Sequence, residues 1–198
     1  MTTVLGVIGT ILVISRAWPQ VREVVQRGNT DGVSLQTWAM TLMNNSAWLT
    51  LGVMISAPPV IFSNVMSAAG SLAVLIATQR RRGGIRLGRA LALAVLMAIL
   101  VTLAAILGTT ALTVLATALS ITMFLPQLVT VLRDGASQGV SVTTWALGAV
   151  SSVIWAWYSF AIGKPGLAVC HVVILPVSII IAVRALQADQ MSAVEQPA

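Results

Sequence analysis

Runs of about 20 mainly apolar residues recur along the chain, separated by short polar stretches. Seven can be marked: 4–25, 33–55, 59–78, 87–107, 111–132, 140–162 and 167–184. Each approaches or exceeds the ~20 residues that a helix needs to cross a ~30 Å hydrocarbon layer. The links between them carry Gly, Pro, Asn and Asp, residues that favour turns. No segment alternates apolar and polar positions as a strand of a membrane barrel does. Backbone groups inside lipid must bond to one another, which a helix achieves within a single segment. The pattern predicts an all-α membrane protein with seven transmembrane helices.

Composition strengthens that expectation. Hydrophobic residues make up 58% of the 198 positions and charged residues 8%, with a mean hydropathy of +0.96. A soluble domain carries roughly 25% charged residues. An ordinary soluble enzyme, a secreted scaffold and a disordered chain are excluded. The net charge of +6 does not indicate nucleic-acid binding, because the basic residues are few and clustered. Arg16, Arg22, Arg27, Arg80, Arg81, Arg82, Arg86, Arg89, Arg133 and Arg184 all fall on one side when the segments alternate in direction, and Lys164 falls on the other. The positive-inside rule then predicts an outer N-terminus and a cytoplasmic C-terminus. Arg80, Arg81 and Arg82 form an expected anchor for anionic lipid. The first charge, Arg16, follows the first apolar run, unlike the basic start of a signal peptide. Only one of the eleven basic residues is lysine, which fits a GC-rich bacterial source and a cytoplasmic membrane. The single cysteine, Cys170, permits no internal disulfide.

An internal repeat organises the segments. Pro19-Gln20, Gly28, Gly32-Val33-Ser34 and Thr37-Trp38-Ala39 recur at a constant offset of 107 residues, as Pro126-Gln127, Gly135, Gly139-Val140-Ser141 and Thr144-Trp145-Ala146. Trp48 matches Trp155, Pro58 matches Pro165 and Ser71 matches Ser178. The expected division is a three-helix repeat over 1–79, a linker helix with a basic loop over 80–110, a second repeat over 111–187 and a short cytoplasmic tail over 188–198. The odd linker helix gives both copies the same orientation. They form two parallel three-helix bundles, an arrangement that places a binding site near the midplane between them.

The Pro-Gln pairs, each followed by Gly-Val-Ser and Trp, resemble the PQ-loop family. The three-one-three plan resembles the SWEET transporters, and each half resembles a bacterial SemiSWEET. The likeness spans residues 4–186. It implies a facilitative transporter, a uniporter moving a small polar solute, with a sugar favoured, by alternating access. It also implies a hinge at Pro19, Gln20, Pro126 and Gln127, since a proline inside a helix removes one hydrogen bond and lets the helix bend. No enzyme activity, cofactor, metal or catalytic residue is implied, and no nucleic acid. One chain carries a complete path, and a homo-oligomer is compatible with it.

Depth along the helices points to a site. Trp48 lies 15 residues beyond Val33, roughly 22 Å from the inner face at ~1.5 Å per residue. Asn64 lies five residues beyond Pro59, roughly 8 Å from the outer face by the same rise. The two levels coincide across a ~30 Å core, and the repeat places Trp155 level with His171. The family resemblance implies that such a Trp and Asn pair cradles substrate. Asn44 lies one turn before Trp48, and Ser151 one turn before Trp155. The candidate substrate-binding residues are therefore Asn44, Trp48, Asn64, Ser151, Trp155 and His171. Ser15 and Thr122, one turn before the two prolines, are candidates for further lining. Trp38, Trp145 and Trp157 fit an interfacial belt.

Some features depart from the sugar-carrying pattern. His171 stands where those relatives have a second Asn, and the second helix of each half lacks proline. All five acidic residues, Glu23, Asp31, Asp134, Asp189 and Glu195, fall outside the deep spans, which argues against ion-driven transport. His171 and Asp31 nevertheless keep a proton-coupled amino-acid exporter of the cystinosin type as an alternative. A ligand receptor that transports nothing is the other.

Overall fold

The computed structural model describes residues 1–22, 35–81, 87–133 and 142–194. These form seven α-helices: α1 (Thr2–Val21), α2 (Leu35–Met54), α3 (Pro58–Arg81), α4 (Leu87–Ile106), α5 (Thr109–Arg133), α6 (Val142–Ala161) and α7 (Val169–Val194). A 3-10 turn, Pro165–Ala168, leads into α7. No strand occurs among the described residues. The final helix runs past the end of the apolar run to Val194, so most of the expected tail is helical. It also contains Pro176, whose repeat mate is Ala69.

The repeat offset carries over to helix ends. Adding 107 to Thr2 gives Thr109, the start of α5, and the same shift maps Leu35–Met54 onto Val142–Ala161. The turn between the second and third helices of each half is also duplicated. Ser56 N–H donates to Val53 O and Ala57 N–H to Gly52 O, at 3.1 and 2.9 Å. Gly163 N–H donates to Phe160 O and Lys164 N–H to Ser159 O, at 3.0 and 2.9 Å. This pair of bonds satisfies carbonyls left over at a helix end and requires a left-handed residue there. Ser56 has φ 51° and Gly163 φ 68°.

Within each half the third helix sits between the first two: α3 packs against α1 and α2, and α7 against α5 and α6. The halves meet where α1 packs on α6 and α2 on α5. Six helices therefore close a ring, and α4 rests outside it against α5 and α2. Small polar residues, among them Ser63, Ser71, Ser151, Ser152 and Ser178, are buried inside. Such residues let membrane helices approach closely. Large apolar side chains cover the perimeter, including Val7, Ile11, Phe62, Leu103, Val114 and Val172. Two helical stretches, Pro58–Arg81 and Pro165–Gln187, meet the length and apolarity needed to cross a membrane, yet only 22% and 39% of their apolar windows are buried. A water-soluble protein would bury such helices; here their outward faces suit hydrocarbon. The chain is a multi-pass membrane protein. Of the tryptophans expected in an interfacial belt, Trp157 is exposed. Trp38 instead packs against buried Val74, and Trp145 meets Phe124 edge to face at 5.6 Å.

A Cβ in the left-handed region costs about 1–2 kcal/mol. Ser56→Gly should therefore raise the thermal unfolding temperature of the detergent-solubilised protein, and Gly163→Ala should lower it.

Candidate functional site

The ring encloses a cavity of about 120 Å³, room for several waters at the ~10–15 Å³ that one requires. All six ring helices contribute to its lining. The six candidate binding residues, Asn44, Trp48, Asn64, Ser151, Trp155 and His171, all line it, although they come from four helices in two halves. Asn44, Ser151 and Trp155 are buried, and Trp48, Asn64 and His171 partly so. No Asp, Glu, Lys or Arg lines it among the described residues.

Ser15 and Thr122 do not line the cavity, which corrects the expectation from their spacing to the prolines. Met123 and Phe124 of α5 line it, as do Val13 of α1 and Ser120 of α5. Ser15 and Thr122 each lie two positions further on, about 200° round the helix at ~100° per residue. Both are exposed, and Thr122 Oγ1 donates back to Ala118 O at 2.6 Å. The backbone is helical through Pro19, Gln20, Pro126 and Gln127; their side chains, with Asp31 and Arg82, lie outside the described set.

The polar groups are held in distinct ways. Trp48 Nε1–H donates to Ser120 Oγ at 2.9 Å. Ser120 Oγ–H donates in turn to Asn44 Oδ1 at 2.8 Å. Beside them, Asn45 Nδ2 donates to Ser67 Oγ at 2.9 Å. Asn64 Nδ2 donates to Val60 O one turn back, at 2.8 Å. Trp155 is fixed by packing. Its ring meets Tyr158 edge to face, with centroids 5.3 Å apart and planes at 81°. Its other side fills a notch at Gly9, where a Cβ would fall 2.8 Å from Trp155 Cε2. Gly6, one turn earlier, lies against Pro59 and Tyr158. These contacts, with buried Leu5, Ala57 and Val60, form an apolar plug between the halves. The plug sits at the end of the ring that carries the α2–α3 turn and the start of α1.

Residues 1–61 match the family model described as PQ loop repeat. The match covers the first two helices and the start of the third. The second half repeats the first at an offset of 107 residues, with matching helix ends. A solved structure described as a eukaryotic SWEET transporter shares the fold, with a TM-score of 0.77 at 16% identity. The likeness covers 96% of this chain and 97% of that one. No curated protein matches the chain.

Sequence reasoning missed Ser120, Asn45, Ser67 and Tyr158, all of which line the cavity. Ser120 escaped because its repeat mate is Val13, so symmetry hides it. Its depth was a usable signal: 11 residues after Thr109 places it about 16 Å along α5, near mid-span.

Overpacking a closed contact costs about 1–3 kcal/mol. Gly9→Ala should therefore lower the unfolding temperature in detergent. Gly70→Ala, whose new Cβ would lie an ordinary 3.5 Å from Val21 Cγ2, should raise it by improving helix propensity.

Proposed function

We propose that this chain is a membrane transporter of the PQ-loop type, not an enzyme, and that it equilibrates a small neutral polar solute, a sugar first among the candidates. The observation that carries this reading is the central cavity. It lies between two repeated halves and is lined by amides, hydroxyls and indoles with no charged side chain among the described residues. A zwitterionic solute would leave its charges unpaired there, at high cost. A hydroxyl-rich solute finds donors and acceptors in the Asn and Ser groups, and indole faces for its C–H surfaces. The SWEET-type fold supports the same reading.

Transport would proceed by alternating access as a uniport. Asn44, Trp48, Asn64, Ser151, Trp155 and His171 would hold the solute. The repeats over 1–79 and 111–187 would move against each other about Pro19-Gln20 and Pro126-Gln127. The Leu5–Trp155–Tyr158 plug would be the outer gate in its closed position. The distribution of basic residues supports an orientation with that end outside and the C-terminus in the cytoplasm of a bacterial cell. Exposed Arg80 and Arg81, with Arg82, would lie beside anionic lipid at the inner face.

The test is uptake into proteoliposomes of a panel of mono- and disaccharides and amino acids. Saturable sugar flux should be equal at about pH 5.5 and 7.5, on either side of the ordinary histidine pKa near 6.5. Asn64→Ala should weaken apparent affinity up to about tenfold, as expected for one lost hydrogen bond of about 0.5–1.5 kcal/mol. Trp48→Ala should weaken it at least as much. His171 on the cavity wall favours a second reading, a proton-coupled amino-acid exporter. Flux confined to amino acids, dependent on a proton gradient and uncoupled by His171→Asn, would establish that reading instead. Saturable binding without flux would establish a receptor.

A further inference from the structure

The two halves of the cavity share a backbone plan but not a hydrogen-bond plan. Ser120 is buried, with 3% of its surface exposed, and stands on α5 in the second half. Its partners, Trp48 and Asn44, stand on α2 in the first half. An indole N–H can only donate, and a serine hydroxyl has one proton to give. Once Ser120 Oγ accepts from Trp48 Nε1–H at 2.9 Å, its own proton goes to Asn44 Oδ1 at 2.8 Å. The chain therefore runs in one direction, Trp48 to Ser120 to Asn44. It occupies the only polar group of the indole and one of the two acceptor sites on the amide oxygen. Trp48 is left with its ring surface for a solute, and Asn44 with its N–H donors.

The repeat mate of Ser120 is Val13, which can neither donate nor accept. Ser151, the mate of Asn44, and Trp155, the mate of Trp48, have no such hydroxyl between them. Trp155 is instead set by the Gly9 notch and the Tyr158 edge. Asn64 spends one N–H on Val60 O and keeps its oxygen. The polar wall is thus directional, with amide donors from α2 opposite a tryptophan held by packing alone on α6.

We propose that Ser120 is a positioning residue. It locks the Trp48 indole and the Asn44 amide across the junction of the halves, so that the first-half wall selects a solute bearing a hydrogen-bond acceptor toward α2. The assignment deepens the transport reading and rests on it for the identity of the solute. The hydrogen-bond chain itself is measurable without any transport.

Two measurements test it. The first follows hydrogen exchange of the Trp48 indole N–H in ¹⁵N-tryptophan-labelled full-length protein in nanodiscs, with its resonance identified by Trp48→Phe. Exchange should quicken at least about tenfold in Ser120→Val and stay slow in Ser120→Thr, which keeps the hydroxyl. If Ser120→Val does not fold, Ser120→Ala serves in its place. Unchanged exchange in the folded variant would overturn the proposal. The second measures counterflow of radiolabelled D-glucose and sucrose in proteoliposomes. Ser120→Val should raise KM about five- to tenfold with Vmax within about twofold, and Ser120→Thr should restore the wild-type KM. A change confined to Vmax, or a Ser120→Thr variant no better than Ser120→Val, would overturn the positioning role. A wild-type protein that moves none of the solutes, with an indole that still responds to Ser120→Val, would count against the transport reading and leave the positioning of Trp48 and Asn44 supported.

Discussion

Every backbone N–H and C=O inside a bilayer needs a partner from the protein, because lipid offers none. Helices satisfy that demand within a single segment, and the rest of this molecule follows from it. Once each span has bonded to itself, its side chains are free to decide where it packs. The apolar ones remain on the perimeter against hydrocarbon. The small polar ones turn inward, where close backbone approach and local hydrogen bonds become the main sources of cohesion. Several inward hydroxyls bond to their own helix, as Thr10 does to Gly6 O at 2.8 Å and Ser159 to Trp155 O at 2.7 Å. They make the interior tolerant of polarity without making it a network.

Among the described residues, the halves of the six-helix ring join at two places, α1 against α6 and α2 against α5. The joints are built from different chemistry. At the first, glycine notches accept Trp155 and the edge of the Tyr158 ring. At the second, a hydroxyl bridges an indole and an amide. Van der Waals contact falls away steeply with separation, whereas a hydrogen bond lost in a low-dielectric interior leaves groups that must find new partners. A solute entering between the halves could supply partners to the second joint but can only wedge the first. The duplicated backbone thus carries two unlike joints.

The left-handed turn residues show the same divergence under a fixed plan. Ser56 and Gly163 occupy matching positions with matching hydrogen bonds. One copy uses the residue for which this conformation is easy, and the other uses one for which it is strained. Pro176 inside α7, opposite Ala69 in α3, is a further difference between copies with common helix starts.

The sequence by itself determined the number of helices, their approximate spans and the two copies. These rest on local properties: apolar length, turn residues and an offset that needs no gap. It also put Trp48, Asn64, Trp155 and His171 at one level, with Asn44 and Ser151 one turn away, because depth is a one-dimensional quantity that residue counting yields. What it could not supply was the angle of each residue about its helix axis relative to the neighbours. Ser15 and Thr122 were placed by their distance from a proline, and they face away from the cavity. Ser120 faces into it, and its mid-span depth alone does not say which way it faces. Only the tertiary structure decided which third helix lies between which partners, which faces meet across the halves, and that one serine in α5 bonds two residues in α2. Rotation about a helix axis is fixed by packing against other helices, and no single segment contains that information.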